Sequence, residues 1–128
     1  MARILLLDDD RDLREVVRSI LEEAGHLVND APDGEAGLQM YREDPSDIVI
    51  TDIRMPEKTG NETIIELRAE FPDVKIIAIS GGGSVGSDVY MRVARKLGAD
   101  EAISKPFAPD ELLSAVRELA DESDLARL

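Results

Sequence analysis

The stretch ILLLDDDRD, residues 4–12, places three acidic residues directly after four aliphatic ones. An aliphatic run without polar alternation is typical of a strand that is covered on both faces, as in a parallel sheet. Further apolar runs follow along the chain, at 27–28, 48–50, 76–79 and 102–103. The pattern therefore predicts five buried strands, the first of which ends just before Asp8.

Amphipathic segments separate the predicted strands. The first carries apolar residues at helical spacing from Leu13 to Ala24, including Val16, and Gly25 follows as a stop signal. Four more segments with helical spacing cover residues 36–41, 64–71, 89–97 and 112–120. Strict alternation of strands and helices, joined by right-handed crossovers, predicts an α/β fold: a doubly wound parallel sheet with five helices on its two faces.

The composition indicates a single acidic domain, which we expect to span residues 1–128. The chain has 28 acidic and 15 basic residues and a formal net charge of −13. Such a surface repels nucleic-acid phosphates and anionic lipids, so we expect neither nucleic acid nor membrane as a direct partner. The lack of cysteine excludes disulfides and thiolate chemistry. Because the apolar runs are also too short for a membrane span or a secretory signal, we expect a cytoplasmic protein.

Polar side chains follow four of the five predicted strands, at the point where each strand ends. They are Asp8, Asp9 and Asp10 after the first strand, Asp52 after the third, Ser80 after the fourth and Lys105 after the fifth. The carboxyl ends of parallel strands meet at one edge of the sheet, where such folds bind ligands. We therefore expect these side chains to share one concavity.

The expected cluster of carboxylates requires positive charge nearby. Two carboxylates about 5 Å apart repel each other by roughly 3 kcal/mol at an effective dielectric constant of about 20. Lys105 supplies one positive charge, and oxygen ligands without His or Cys favour Mg²⁺ as a further one. The strand ends therefore predict a site for Mg²⁺ and phosphate. For Asp10 and Asp12 the alternative is helix capping, because acids after a strand often cap the next helix.

This arrangement resembles the receiver domain of two-component response regulators, in its chemotaxis-type single-domain form. The resemblance rests on Asp8-Asp9, on TDIRMP at 51–56, on Ser80 and on SKPF at 104–107, in this order along nearly the whole chain. It implies a flavodoxin-like fold with the strand order 2-1-3-4-5. It also implies a signalling switch that catalyses its own phosphorylation and dephosphorylation.

The resemblance implies a role for each residue at the strand ends. Asp52 is the expected phosphoacceptor, which attacks a phosphohistidine of a sensor histidine kinase or phosphotransfer protein. Ser80 and Lys105 are expected to hold the remaining phosphoryl oxygens. The expected Mg²⁺ ligands are Asp8, Asp9, Asp52 and the backbone carbonyl of Arg54. The phosphorylated form is expected to change partner binding, as a monomer or a weak dimer, with an output partner that the sequence does not identify.

The sequence departs from the family pattern at two places. Many members carry an aromatic residue three positions before the lysine of the fifth strand, where this chain has Ala102. The loop SGGGSVGSD, residues 80–88, is a few residues longer than usual and contains four glycines. We expect the segment from Gly81 to Ser87, together with the fourth helix, to carry the output signal when the phosphoryl group recruits Ser80. A plain flexible connector is the alternative.

Two other classes of protein compete with this interpretation. A phosphorylation-independent binding module with the same fold is favoured by Ala102 and disfavoured by the acids and Lys105. A haloacid-dehalogenase-type phosphohydrolase is suggested by the Asp-x-Asp pattern of Asp8 and Asp10, but Asp12 stands where that family has a small hydroxyl or aliphatic residue. The tail at 121–128 is too short for an effector region, so we expect either a stand-alone receiver or part of a longer protein.

Four further residues are assigned local roles. His26 is expected at the surface or in a hydrogen bond, away from any catalysis. Pro56 and Gly60 are expected to shape the loop between the third strand and the third helix, with Gly60 in a turn before the helix. Pro106 is expected to follow a cis peptide bond, as is typical of the family after the lysine.

Overall fold

The computed structural model describes residues 1–53, 59–80 and 87–126, and in these ranges strands and helices alternate along the chain. The strands are β1 Arg3–Leu7, β2 Leu27–Ala31, β3 Ile48–Asp52, β4 Lys75–Ser80 and β5 Glu101–Ser104. The helices are α1 Arg11–Glu23, α2 Gly34–Glu43, α3 Gly60–Glu70, α4 Ser87–Leu97 and α5 Pro109–Ala126. Neighbouring strands all pair in parallel, in the order β2-β1-β3-β4-β5. The predicted fold and strand order are confirmed.

Helices cover both faces of the sheet, which explains why its strands lack polar alternation. Successive side chains of a strand point to opposite faces. In β3, Ile48 and Ile50 pack into a cluster with α1 and α5, whereas Val49 packs into a second cluster with α2, α3 and α4. A strand residue therefore meets apolar neighbours whichever way it points, so every position favours an aliphatic side chain.

Two glycines lie just beyond the ends of helices, and for Gly25 this was predicted. Gly25 has φ +95° and lies two residues after the end of α1, and Gly98 has φ +131° and directly follows α4. Glycine adopts this left-handed backbone without the steric penalty that a Cβ atom imposes. Both helices therefore stop where the sequence predicts.

Some residues of the predicted apolar helix faces are exposed. Val16 of α1 is 56% exposed, and Val89 and Val93 of α4 are 51% and 38% exposed. In the same helices the residues that reach the sheet include Val17 and Ala94. The apolar spacing that predicts these two helices therefore marks a wider stripe than the face that contacts the sheet.

The strands all begin on one side of the sheet, which we call its amino edge, and end on the other, its carboxyl edge. At the amino edge, Arg68 of α3 contacts several elements. Its Nη1 donates to the backbone carbonyls of Pro72 and Val74, both at 2.8 Å, and its Nε donates to the Gly98 carbonyl at 3.2 Å. Its Nη2 lies 3.0 Å from the Asp100 carboxylate. One guanidinium thereby ties the end of α3 to the start of β4 and to the turn after α4.

His26 also has a structural role. Its Nδ1 accepts a hydrogen bond from the backbone N–H of Ala2 at 3.0 Å, next to the start of β1. The expectation of a hydrogen-bonding histidine is confirmed. Within the part of the chain that the structure describes, no helix has the length and apolar character needed to cross a membrane.

Candidate functional site

The carboxyl edge of the sheet brings together the side chains that the sequence singles out. Asp52 is the last residue of β3 and Ser80 is the last residue of β4, while Asp8 and Lys105 directly follow β1 and β5. Asp8, Asp52 and Ser80 are 3%, 6% and 1% exposed, so three polar residues are buried at this edge. Burial of polar groups carries a free-energy cost that the fold must offset by specific contacts.

Asp8 is held through its backbone and its side chain. Its N–H donates to the carbonyl of Ala31 at the end of β2 (3.2 Å), and its carbonyl accepts from Arg14 Nη1 (2.6 Å). Its Oδ1 accepts from the backbone N–H of Asp10 (2.9 Å). The carboxylate is thus fixed in direction although it lies just beyond the last pair of the β1–β2 ladder.

The environment of Asp8 disfavours its charged form. Burial raises the pKa of this carboxyl from its ordinary value of 3.8 to about 6. The Asp10 N–H and the Lys105 ammonium act in the opposite direction, while the charges of Asp52 and Asp9 raise the pKa further. Raised carboxyl pKa values of this kind are common where a fold places acids together for function.

Lys105 supplies the positive charge inside the cluster. Its Nζ lies 3.1 Å from Asp52 Oδ2 and 3.9 Å from Asp8 Oδ2. Its backbone N–H donates to the carbonyl of Ser80 at 2.9 Å, which joins the ends of β4 and β5. The Lys105–Pro106 bond is cis, as predicted. One ammonium therefore faces two buried carboxylates.

Three carboxylates form a group that can hold a metal ion. One oxygen from each of Asp8, Asp9 and Asp52 lies within 4.8 Å of the others, and Asp9 is the exposed member of the group. These are hard oxygen donors, and the chain's only histidine, His26, hydrogen-bonds to Ala2 instead. Such a donor set fits a hard divalent cation, because Mg²⁺ and Ca²⁺ prefer carboxylate oxygens. The predicted convergence of these three acids is confirmed.

The backbone beside Asp52 is packed directly against the start of α3. A Cβ atom at Gly60 would lie 2.0 Å from the Asp52 carbonyl oxygen and 2.6 Å from the Cα of Ile53. The Gly60 N–H donates to the Ile53 carbonyl at 2.9 Å. The prediction that Gly60 lies in a turn before the helix was wrong, because Gly60 is the first residue of α3. Glycine is required at this position because the two backbones lie too close together for a Cβ atom.

The remaining predicted residues divide into three groups. Asp10 caps α1, since its Oδ1 accepts from the backbone N–H of Leu13 at 3.2 Å, which confirms the capping alternative for this acid. Ala102 is buried in β5, where it pairs with Ala78. Outside the described residues lie Arg54, the expected carbonyl ligand, Pro56 and the loop at 81–86 that was expected to carry the output.

Sequence reasoning missed Arg14 and Asp30. Arg14 Nε lies 3.3 Å from Asp30 Oδ2, and Arg18 Nη1 lies 3.5 Å from Asp30 Oδ1. The sequence carries a weak signal for this contact: a basic residue next to the buried face of α1, and an acid near the end of the adjoining strand. Neither residue stands at a strand end with the motif residues, so the pairing emerges only from the packing of α1 on β2.

Comparisons with known proteins point in one direction. A family model described as "Response regulator receiver domain" matches residues 4–117. The chain is 37% identical over 123 residues to "Response regulator MprA" of Mycobacterium ulcerans (strain Agy99), an alignment that covers 96% of this chain and 52% of the relative. It is 34% identical over 115 residues to "Probable transcriptional regulator ycf27" of Guillardia theta, covering 90% of this chain and 44% of the relative. The chain thus spans about half the length of these curated relatives.

Solved structures show the same similarity. A response regulator receiver domain protein from Clostridium thermocellum superposes with a TM-score of 0.90 at 29% identity, over 98% of this chain and 99% of that one. NtrX from Brucella abortus also superposes with a TM-score of 0.90 at 29% identity, over 98% of this chain and 28% of that one. The range matched by the family model includes every strand end of the site.

Proposed function

Because the chain belongs to the response regulator receiver domain family, we propose that it is a phosphorylation switch with Asp52 as phosphoacceptor. One observation carries the proposal: Lys105 Nζ lies between the buried carboxylates of Asp52 and Asp8, at 3.1 and 3.9 Å, and Asp9 lies beside them. A phosphoryl group in transfer carries negative charge on its oxygens. Lys105 and a cation bound by the acids would neutralise that charge.

In the proposed reaction, an Asp52 carboxylate oxygen attacks the phosphorus of a phosphohistidine. A P–O bond to Asp52 forms while the P–N bond breaks, and the bonding electron pair remains on the imidazole nitrogen of the kinase or phosphotransfer protein. A carboxylate is a weak nucleophile, so positioning and charge stabilisation must supply most of the rate acceleration. Burial of Asp52 at the end of β3 supports the proposal, since the sheet holds the nucleophile in place.

We propose Mg²⁺ as the cofactor, held by Asp8, Asp9 and Asp52, with the backbone carbonyl of Arg54 as a further ligand. The oxygen donors of the acid group support this assignment. When bound, Mg²⁺ neutralises charge on the phosphoryl oxygens. Lys105 would contribute a second positive charge, by shifting from the Asp52 carboxylate towards the new phosphoryl oxygens.

The switch itself is proposed to involve Ser80. Phosphorylation adds up to about two negative charges beside Asp52, and these attract nearby hydrogen-bond donors. Burial of Ser80 at the end of β4, in the strand next to β3, supports a role for its hydroxyl in binding the phosphoryl group. Movement of Ser80 would alter the connection to α4 and thereby the surface offered to an output partner.

We further propose that residues 1–128 act as one receiver unit in the cytoplasm, phosphorylated by a sensor histidine kinase or a phosphotransfer protein. Because the chain spans about half the length of its curated relatives, it serves either by itself or as the input part of a longer regulator. In both cases the phosphorylated form acts by changing what the domain binds.

The proposal is tested by phosphorylation with acetyl phosphate and Mg²⁺, followed by intact-mass spectrometry and borohydride trapping of the acyl phosphate. We expect one added phosphoryl group, mapped to Asp52, in the wild type and none in Asp52→Asn. Asp12→Asn is the matched control, because it removes an exposed acid of α1 outside the cluster, and it should be labelled normally. Undiminished labelling of Asp52→Asn would exclude Asp52 as the acceptor.

A phosphorylation-independent binding module remains the second candidate, favoured by Ala102. This buried position in β5 lacks the aromatic side chain that relatives use in switching. The same labelling experiment separates the two, because a module of this kind would gain no phosphoryl group in the presence of Mg²⁺. Repeated turnover of a small phosphate ester would instead support the phosphohydrolase alternative.

A further inference from the structure

We infer that Arg14 is a positioning residue of the metal site, which fixes the backbone of Asp8 so that the Asp8 carboxylate stands ready to bind Mg²⁺. The inference deepens the proposed function and rests on it. The Arg14 side chain is 15% exposed, so the guanidinium lies largely inside the fold. Its Nη1 donates to the Asp8 carbonyl at 2.6 Å.

Asp30 holds the other side of the guanidinium. Arg14 Nε lies 3.3 Å from Asp30 Oδ2, and Asp30 is 27% exposed near the end of β2. The next residue, Ala31, accepts the Asp8 N–H through its carbonyl at 3.2 Å. The Asp8 backbone is therefore tied to β2 twice, once directly through its N–H and once through Arg14 and Asp30.

These two connections stabilise a part of the chain that lies beyond the strand pairing of the sheet. The β1–β2 ladder ends with the pair Leu7 and Ala31, and α1 begins only at Arg11. Asp8 thus lies in a short turn whose buried carbonyl needs a donor. Arg14 reaches back from the first turns of α1 to provide it. Without this donor, the turn that aims the Asp8 carboxylate would lose one of its fixed points.

Charge and position have opposite effects on Mg²⁺ binding, which makes the inference testable. A positive guanidinium near the site repels Mg²⁺, so removal of its charge alone would strengthen binding by up to about a few fold. Loss of a residue that orients a metal ligand typically weakens binding by roughly 10- to 100-fold. The sign of the change in Mg²⁺ affinity therefore distinguishes a positioning residue from a mere neighbouring charge.

The experiment measures the Mg²⁺ dissociation constant of the full chain by isothermal titration calorimetry. For Arg14→Met, which keeps the aliphatic stem and removes the donors, we expect binding weakened roughly 10-fold. Arg14→Lys keeps the charge and one donor, so it should recover part of the affinity. The matched control is Arg11→Met, which removes the same charge from the same helix at a side chain that is 81% exposed and pairs with Glu15. It should bind Mg²⁺ as tightly as the wild type or slightly more tightly.

The outcomes separate this inference from the proposed function. If the wild type binds Mg²⁺ and folded Arg14→Met binds it equally or more tightly, the Arg14 inference is overturned and the proposed function stands. If the wild type shows no binding at millimolar Mg²⁺, the proposed cofactor fails and the Arg14 inference fails with it. Circular dichroism and urea titration establish that each variant is folded. Should Arg14→Met not fold, Arg14→Lys decides, since affinity equal to the wild type would overturn the inference.

Discussion

The charged groups at the two edges of the sheet have different partners. At the amino edge, the Arg68 guanidinium has its donors directed at backbone carbonyls and at the Asp100 carboxylate, which in turn accepts from the Ile76 N–H at 2.8 Å. At the carboxyl edge, the Lys105 ammonium faces the two buried carboxylates of Asp52 and Asp8. At the amino edge the guanidinium has a matching carboxylate, whereas at the carboxyl edge one ammonium lies beside a group of three carboxylates.

The difference shows what each edge contributes. Matched donors and acceptors at the amino edge add to the stability of the fold. Like charges gathered at the carboxyl edge reduce stability until a cation joins them. A fold that places such a cluster at one edge must gain stability elsewhere, and substitutions at the two edges should therefore act with opposite signs.

The largest effect is expected at the amino edge, from Arg68→Met. The substitution leaves the carbonyls of Val74 and Gly98 and the Asp100 carboxylate without their charged donor. We expect the free energy of unfolding to fall by about 3 kcal/mol, because hydrogen bonds from charged groups to part-buried acceptors are among the stronger ones. Urea denaturation measures the change, and Mg²⁺ affinity should be unaffected.

Arg42→Met is the matched control for this substitution. Arg42 pairs with Glu70 across the surface, where both side chains are well exposed, and exposed ion pairs contribute little. If Arg68→Met proved as mild as Arg42→Met, the contrast between the edges would be lost.

A smaller effect of opposite sign is expected at the carboxyl edge, from Asp8→Asn. The amide oxygen can still accept a hydrogen bond from the Asp10 N–H, while the buried negative charge disappears. Lys105 retains its ion pair with Asp52. In EDTA at neutral pH we expect the variant to be more stable than the wild type by about 2 kcal/mol, and to bind Mg²⁺ more weakly. Asp12→Asn, an exposed change outside the cluster, should leave both quantities nearly unaltered. Destabilisation of Asp8→Asn under these conditions would contradict the idea that the edge is strained by charge.

The smallest effect is a pH dependence that comes from the same carboxyl. Since the pKa of Asp8 is raised from 3.8 to about 6, the folded state binds more protons than the unfolded state between these values. Stability therefore falls as the pH rises through this window. Relative to Asp8→Asn, the metal-free wild type should lose about 1 kcal/mol between pH 5 and pH 7, as measured by urea denaturation at each pH. Asp8 would be excluded as the cause if the difference in unfolding free energy between the two proteins were the same at pH 5 and pH 7. The same would follow if the wild type gained stability relative to Asp8→Asn as the pH rose.

Much of this architecture could be predicted from the chain because its signals are local. Unalternated aliphatic runs mark strands buried on both faces, Gly25 and Gly98 mark helix ends, and the polar residues that follow the strands mark one edge. Parallel topology then brings Asp8, Asp52 and Lys105 together without further information, as the distances confirm.

What could not be predicted depends on contacts between elements that are distant in sequence. The bond from Arg14 to the Asp8 carbonyl and its pairing with Asp30 require the packing of α1 against β2. The need for glycine at position 60 requires the distance between two backbones, which no propensity encodes. The exposure of Val16 reflects how narrow the contact between α1 and the sheet is.

The contact at Gly60 has a mechanical consequence. The first turn of α3 rests on the main chain of Asp52 and Ile53 with no side chain between them, and the Gly60 N–H is bonded to the Ile53 carbonyl. Flexible side chains absorb small displacements, but this joint contains none. We therefore expect a shift at the end of β3 to displace the first turn of α3 with it.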